Sequence, residues 1–199
     1  MILFGATRVF ATKGLRNVSV EDLLEGAQIS RRTFYRFFKS KDDVALAMYT
    51  LGTSSLLESC RRAITNEPDL LEQLEKCIDI HLGNARQMGR LVWILGGEAQ
   101  SLESPLHARR MEVHQQLVSM FREAGVRSDA SQSNVDPLLI ATLIFALEQV
   151  VRAVLEQGDE GRRVTNESIQ RARAVMMRVA TAAVAGTGHR VAPLPMLDS

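Results

Sequence analysis

The sequence is poor in the residues that build sheets and covalent staples. Aromatics make up 5% of its 199 positions, and the 46% apolar share rests mainly on Ala, Leu, Val and Met. That balance favours helix over strand. No stretch sustains the period-2 alternation of a half-buried strand. The two cysteines, Cys60 and Cys77, allow one disulfide at most. Both fall within helical patterns of a chain of cytoplasmic character, where thiols stay reduced. The four histidines, at 81, 107, 114 and 189, show no metal-ligand spacing. His107 and His114 would stand about 10 Å apart along a helix, too far to share one ion. No metal or cofactor is expected. The longest strongly apolar stretch, Pro137 to Leu147, has 11 uncharged residues, too few for a bilayer, which takes about 20. Arg8 and Lys13 interrupt the N-terminal apolar residues, unlike a signal peptide. The chain therefore reads as cytoplasmic, with no membrane partner.

What is present is helical periodicity from end to end. Leu3, Ala6, Val9 and Phe10 form one face of a first helix that stops near Gly14. Ser19 with Asp22 makes a capping box with Asp in place of Glu, Ser30 caps a short helix over 31–38, and Ser40 with Asp43 repeats the box. Pro68, Pro105 and Pro137 are placed as first helical residues. The pattern predicts helices over 68–88, 90–102, 105–124, 137–157 and 166–185, the last capped by Thr165. Gly125, Gly158 and Gly186 serve as stops, Gly96-Gly97 as a bend or break, and the tail after Gly186 as coil. The net charge of +1 conceals an asymmetry: residues 1–48 hold eight Lys/Arg and five Asp/Glu, leaving 16 and 18 for residues 49–199. A basic head on a slightly acidic body suits one polyanionic partner and one of another kind.

The informative stretch runs from Ser19 to Lys41. Two short helices separated by Gln28-Ile29-Ser30 suit a helix-turn-helix, whose second helix enters the major groove. Ile29, Phe34 and Phe38 are spaced to face a core. Arg31, Arg32, Thr33, Tyr35 and Arg36 then lie on or near the outer face, where cations and hydroxyls meet phosphates and Arg can pair with guanine. The order of submotifs is more specific than the spacing. Phe10-Ala11-Thr12-Lys13-Gly14, Ser19-Val20-Glu21-Asp22-Leu23, Ala27-Gln28-Ile29-Ser30, Thr33-Phe34-Tyr35-Arg36-Phe37-Phe38 and Ser40-Lys41-Asp42-Asp43-Val44 together resemble the TetR (AcrR) family of transcriptional regulators.

The resemblance implies an all-α protein. An N-terminal three-helix DNA-binding head, residues 1–46, would be joined by a fourth helix to a larger ligand-binding and dimerisation domain, residues 47–199. It places Ser19, Thr33, Tyr35 and Lys41 where the family contacts phosphates. Arg31, Arg32 and Arg36 fall where bases are read or backbone contacts supplemented, and Phe37 where a side chain packs on sugar or a thymine methyl. Where the family commonly has Gly in the turn, this chain has Gln28, strained if φ is positive. Relatives usually carry an arm, often basic, before the first helix.

The body has no motif of comparable strength. Fourteen of the residues 138–155 are apolar, which needs cover on most sides. With Ile169, Ala172, Met176, Val179, Ala180 and Ala183 on the last helix, this segment is the expected homodimer seam. For the pocket the candidates are His81, Met88, Trp93, Glu98, His114, Phe145 and Glu148: an apolar lining with a few polar anchors, suited to a small, mostly apolar effector. The implied function is a repressor that binds a palindromic operator as a homodimer and is released by that effector. Two other readings are an architectural DNA-binding module without an inducer, and an enzyme using Glu98 and His114 as an acid/base pair. No nucleophile, metal or phosphate-binding motif accompanies that pair.

Overall fold

A computed structural model of the chain describes residues 2–128, 136–159 and 164–186. Among these there are eight α-helices and no strand: α1 Ile2–Lys13, α2 Val20–Ala27, α3 Arg31–Phe37, α4 Lys41–Thr65, α5 Leu70–Glu98, α6 Pro105–Ser128, α7 Pro137–Asp159 and α8 Asn166–Gly186. The fold is all-α. The coil expected after Gly186, with His189, lies outside the described residues.

The short helices begin where side chains satisfy the backbone N–H groups that a first turn leaves open. Ser19 accepts from the Asp22 amide, and the Asp22 carboxylate accepts from the Ser19 amide, closing a capping box. Asp22 also accepts from Lys13 at 2.6 Å, which ties α1 to the start of α2. That bond, helped by those from Ser19, lowers its carboxyl pKa to about 2. Ser30 caps α3 by accepting from Thr33. Ser40 caps α4, but Asp43 reaches back to the Lys39 amide rather than to that of Ser40. At α8, Thr165 accepts from the Ser168 amide.

The longer helices depart from the predicted boundaries in informative ways. Pro68 is not the first residue of α5, because Asp69 supplies the cap by accepting from Glu72, and the helix begins at Leu70. The two helices predicted over 68–88 and 90–102 are one, bent at Met88, whose φ of −114° and ψ of 17° are not helical. Gly96-Gly97 neither bends nor breaks it. Gly97 instead leaves room for α7: a Cβ there would stand 3.0 Å from the Arg152 guanidinium. Helix α6 continues through Gly125, and α7 through Gly158.

The 137–147 stretch, too short for a membrane by itself, lies within the longer helix α7. A 20-residue window of α7, Pro137–Glu156, is apolar and long enough to cross one by length and composition. One face of it packs into the body. Ile140, Leu143, Val151 and Leu155 are buried against α5, α6 and α8, and Glu148 is ion-paired to α6. Only 22% of the window is buried, however, and Leu138, Thr142, Phe145, Gln149 and Ala153 form an exposed stripe along it.

Two cores hold the molecule. One fills the body, between α4, α5, α6, α7 and α8. The other centres on Phe10, Leu23, Phe34 and Val44, all fully buried, and includes Ile94, Leu95, Ala99 and Leu106 from α5, α6 and their connection. Cys60 and Cys77 are free thiols buried in the body, on α4 and α5.

Close packing within the head makes one glycine indispensable. A Cβ on Gly5 would meet the Ala27 Cα at 2.5 Å and the Gly26 carbonyl oxygen at 2.6 Å, both backbone atoms unable to yield separately. Gly52, by contrast, has nothing within 4 Å. Gly5→Ala is expected to lower unfolding free energy by about 3 kcal/mol through overpacking. Gly52→Ala should raise it by up to about 1 kcal/mol through helix propensity. Urea denaturation of the two variants beside the parent checks both signs.

Candidate nucleic-acid interface and ligand cavity

The helix-turn-helix forms around Phe34, which is fully buried with Leu23 beneath it, while Ile29 and Phe38 pack at its margin. The turn closes because Gln28 takes a left-handed conformation, φ 53° and ψ 48°, the only positive φ outside glycine among the described residues. Its amide and that of Ile29 then bond to the Glu25 and Leu24 carbonyls, ending α2. The strain anticipated for a non-glycine residue here is therefore present in the backbone.

This turn leaves one face of α3 open. Arg31, Arg32, Tyr35, Arg36 and Phe37 are exposed, and Thr33 is half-buried with its hydroxyl 3.0 Å from that of Ser30. The Arg36 guanidinium lies over the Phe37 ring, 4.7 Å from its centroid. Arg31 is ion-paired to Glu21 of α2 on the surface. Such an exposed pair is worth about 0–1 kcal/mol and can exchange for a phosphate at little cost. Lys41 is held more firmly within the fold, because its ammonium donates to the carbonyls of Leu15 and Arg16, each at 3.0 Å. It thereby pins the α1–α2 loop to the start of α4. Ser19 is likewise engaged as the α2 cap, though exposed.

The second feature is a cavity in the body, about 70 Å³ in volume, walled by five helices from α4 to α8. Its lining is nearly all apolar, with residues such as Leu74, Phe121, Leu143 and Met176, and its polar members are His81, His114 and Glu148. Three of the seven predicted pocket residues thus meet there. Phe145 stands behind the wall, edge-on to the His114 ring at 4.7 Å, and is partly exposed. Met88, Trp93 and Glu98 are not in the lining. Met88 is exposed at the bend of α5. Trp93 packs between the two cores, and Glu98 is the last residue of α5. The acid/base pairing considered for Glu98 and His114 is not formed, since His114 pairs with Glu148.

That pairing is part of a largely buried polar cluster in the body. The Glu148 Oε2 atom accepts from Arg110 Nε at 3.1 Å and from its terminal nitrogen at 2.6 Å, while Oε1 accepts from His114 Nε2 at 2.8 Å. Burial raises the Glu148 carboxyl pKa, but the hydrogen bonds and charges of His114 and Arg110 outweigh it, leaving a net shift below the ordinary 4.5. Burial lowers the His81 pKa from 6.5, so that ring is neutral at pH 7. Sequence reasoning found His114 and Glu148 but missed Arg110. The available signal was its place one helical turn before His114, on the same face.

The family model described as "Bacterial regulatory proteins, tetR family" matches residues 2–48. Residues 2–48 thus match the DNA-binding head of the TetR family. The HTH-type transcriptional regulator EthR of Mycolicibacterium smegmatis is 49% identical over 47 residues, covering 24% of this chain and 22% of EthR. The HTH-type transcriptional regulator TcmR of Streptomyces glaucescens is 23% identical over 136 residues, covering 68% of this chain and 56% of TcmR. The matched segments thus span about a fifth of EthR and just over half of TcmR. The transcriptional regulator FadR of Bacillus subtilis, solved in complex with stearoyl-CoA, superposes with a TM-score of 0.72 at 17% identity. That superposition covers 93% of this chain and 97% of FadR, and marks a shared fold.

The Glu148 cluster is expected to make the body sensitive to acid. Its carboxyl titrates lower when folded than when unfolded, so its stabilising contribution is complete above about pH 4.5 and disappears as pH falls through the lower folded value. Glu148→Ala, which strands a buried guanidinium, is expected to cost about 3–5 kcal/mol at pH 7. Glu148→Gln should flatten the loss of stability expected of the parent as pH falls below about 4.5. Urea midpoints across that range measure both effects.

Proposed function

We propose that this TetR-family chain is a homodimeric transcriptional repressor that grips a palindromic operator with its two α3 helices and lets go when a small, mostly apolar effector enters the body cavity. The observation that carries this reading is the continuity of α5 and α6 between cavity and head. Helix α6 contributes Leu106 to the head core and, two turns later, His114 to the cavity wall. Helix α5 carries His81 on the cavity side of its bend and Ile94 and Leu95 on the head side. Arg90, between them, donates to the Ala11 carbonyl of α1. An effector that parts the cavity walls therefore moves rods whose other ends are packed into the head. It shifts the equilibrium only by binding the parted state more tightly than the closed one.

The division we adopt, a head of residues 1–46 and a body of 47–199, falls inside α4, which runs unbroken across it. On the DNA we assign phosphate contacts to Ser19, Thr33, Tyr35 and Lys41. Base reading or supplementary backbone contacts go to Arg31, Arg32 and Arg36, and a sugar or methyl contact to Phe37. The ligand site we assign is His81, His114 and Glu148 within the lining. The effector is smaller than the stearoyl-CoA held by Bacillus subtilis FadR: a 70 Å³ cavity is about half the ~150 Å³ that holds benzene in an engineered protein core. Operator binding places the protein in the cytoplasm.

The dimer seam needs one revision from the sequence reading. Ala172, Met176 and Ala180 of α8 face inward, each no more than 3% exposed, so they belong to the chain's own core. The surface left for a partner is the exposed α7 stripe from Leu138 to Ala153, with Ala174, Arg178 and Ala182 on the outer side of α8. A two-fold pairing there would set two α3 helices on major-groove faces about 34–36 Å apart.

Two measurements test these assignments. The parent's operator affinity should fall steeply with salt, by a slope of about 0.9 per phosphate neutralised. The Arg31→Ala/Arg32→Ala variant, folded by circular dichroism, should lose at least about tenfold in affinity. Unchanged affinity would sink the α3 assignment. For assembly, Leu138→Glu with Ala153→Glu should convert a dimer to a monomer in sedimentation velocity at micromolar concentration, because carboxylates would be buried unpaired. A parent that sediments as a monomer overturns the seam.

A further inference from the structure

We infer that Cys60 and Cys77 form a peroxide-responsive dithiol site: hydrogen peroxide in the body cavity oxidises Cys60, and Cys77 then closes a disulfide between α4 and α5. The inference does not depend on whether the same cavity also takes an effector.

Helix geometry brings the two thiols together. Helices α4 and α5 pack against each other and are joined by the four residues 66–69. Cys60 lies five residues before the end of α4, and Cys77 seven after the start of α5. At 1.5 Å per residue they stand at nearly the same level, roughly 7 and 10 Å from that connection. Both are free, both are buried, and both line the cavity. The Cys77 S–H donates to the Cys60 sulfur, so the two side chains are in contact and do not merely share a core.

A cysteine buried in apolar surroundings is ordinarily inert. Two features set this pair apart. The hydrogen bond from Cys77 outweighs burial and holds the Cys60 thiol below its ordinary pKa of 9.0, while the same contact, with burial, pushes Cys77 up. Cys60 is thus the attacking thiol and Cys77 the resolving one. The cavity supplies the space: its 70 Å³ is well above the roughly 10–15 Å³ that admits one water, so a peroxide fits. The Cys60 thiolate attacks one peroxide oxygen, an S–O bond forms as the O–O bond breaks, and the departing hydroxide takes up the thiol proton as water. The Cys77 sulfur then attacks that of Cys60. The S–S bond forms as the S–O bond breaks, and the second hydroxide leaves as water with the Cys77 proton. One peroxide gains the two electrons that the two thiols lose.

The test treats the reduced full-length protein with hydrogen peroxide near neutral pH, then denatures it and labels free thiols with N-ethylmaleimide. Two adducts per chain are expected before peroxide and none after it, with both returned by dithiothreitol. Peptide mapping without reductant should recover the Cys60 peptide joined to the Cys77 peptide, in a chain that still runs as a monomer on a denaturing gel. The order of attack is read in variants confirmed as folded by their thermal transitions. Cys77→Ser keeps a hydroxyl donor beside Cys60 and should stop at a Cys60 sulfenic acid, captured by dimedone. Cys60→Ser should slow oxidation of Cys77 by at least about tenfold. If neither variant folds, the peptide map of the parent decides by itself. Two thiols still free after peroxide would overturn the inference, as would a cross-link between chains, or oxidation to sulfinic acid without a cross-link.

Discussion

Three short helices cannot bury enough apolar surface to stand alone, because the buried fraction falls steeply as a domain shrinks. Helices α1 to α3 supply Phe10, Leu23 and Phe34, and the start of α4 adds Val44, Ala45 and Met48. The core is closed by Ile94, Leu95, Ala99 and Leu106, which come from the body. Borrowing those four residues stabilises the head, and it also fixes the head's orientation to α5 and α6. The orientation of α3, and with it any spacing between two such helices in a dimer, is therefore set by the same helices that wall the cavity.

The consequence for regulation follows from packing. A close-packed core transmits displacement because its atoms have no slack to absorb it. The bend at Met88 localises compliance in α5: the segment before it faces the cavity, and the segment after it is bound to the head through Arg90 and the Ile94–Leu95 pair. Helix α6 has no such interruption between Leu106 and His114. A push on His114 is thus carried to Leu106 along unbroken helix, while in α5 part of the same push is taken up at the bend.

The sequence made the head legible because its signals are local. Ser19, Ser30 and Thr165 each cap a helix by reaching an amide three residues on, a reach set by backbone geometry alone. The outward arginines of α3 follow from the inward Phe34. The cavity was only half legible because it is assembled from five helices. His114 and Glu148 stood out as polar residues on apolar faces, but their partner Arg110 looked like any surface cation. Trp93 packs between the two cores instead of lining the cavity, because an apolar residue in an apolar run does not reveal whether it meets a cavity or a packed core. The α8 face failed differently: its periodicity was right, but periodicity does not say whether an apolar face meets the chain's own core or a second copy.

The small size of the cavity bears on how the cluster at its end works. A ligand larger than the space must part α6 and α7, and those helices are joined there by Arg110 and His114 on one side and Glu148 on the other. Breaking a buried pair by removing one partner costs several kcal/mol, far more than a weak apolar ligand can return. The tie therefore has to survive entry, and the walls must yield elsewhere, along the apolar contacts between Phe121, Leu143 and Met176. Apolar contacts are non-directional and re-form after sliding, whereas the charged tie holds its geometry. On the proposed effector reading, the polar cluster is the fixed end of the cavity and the apolar lining the end that would open, so the body of a ligand would do the work of displacement.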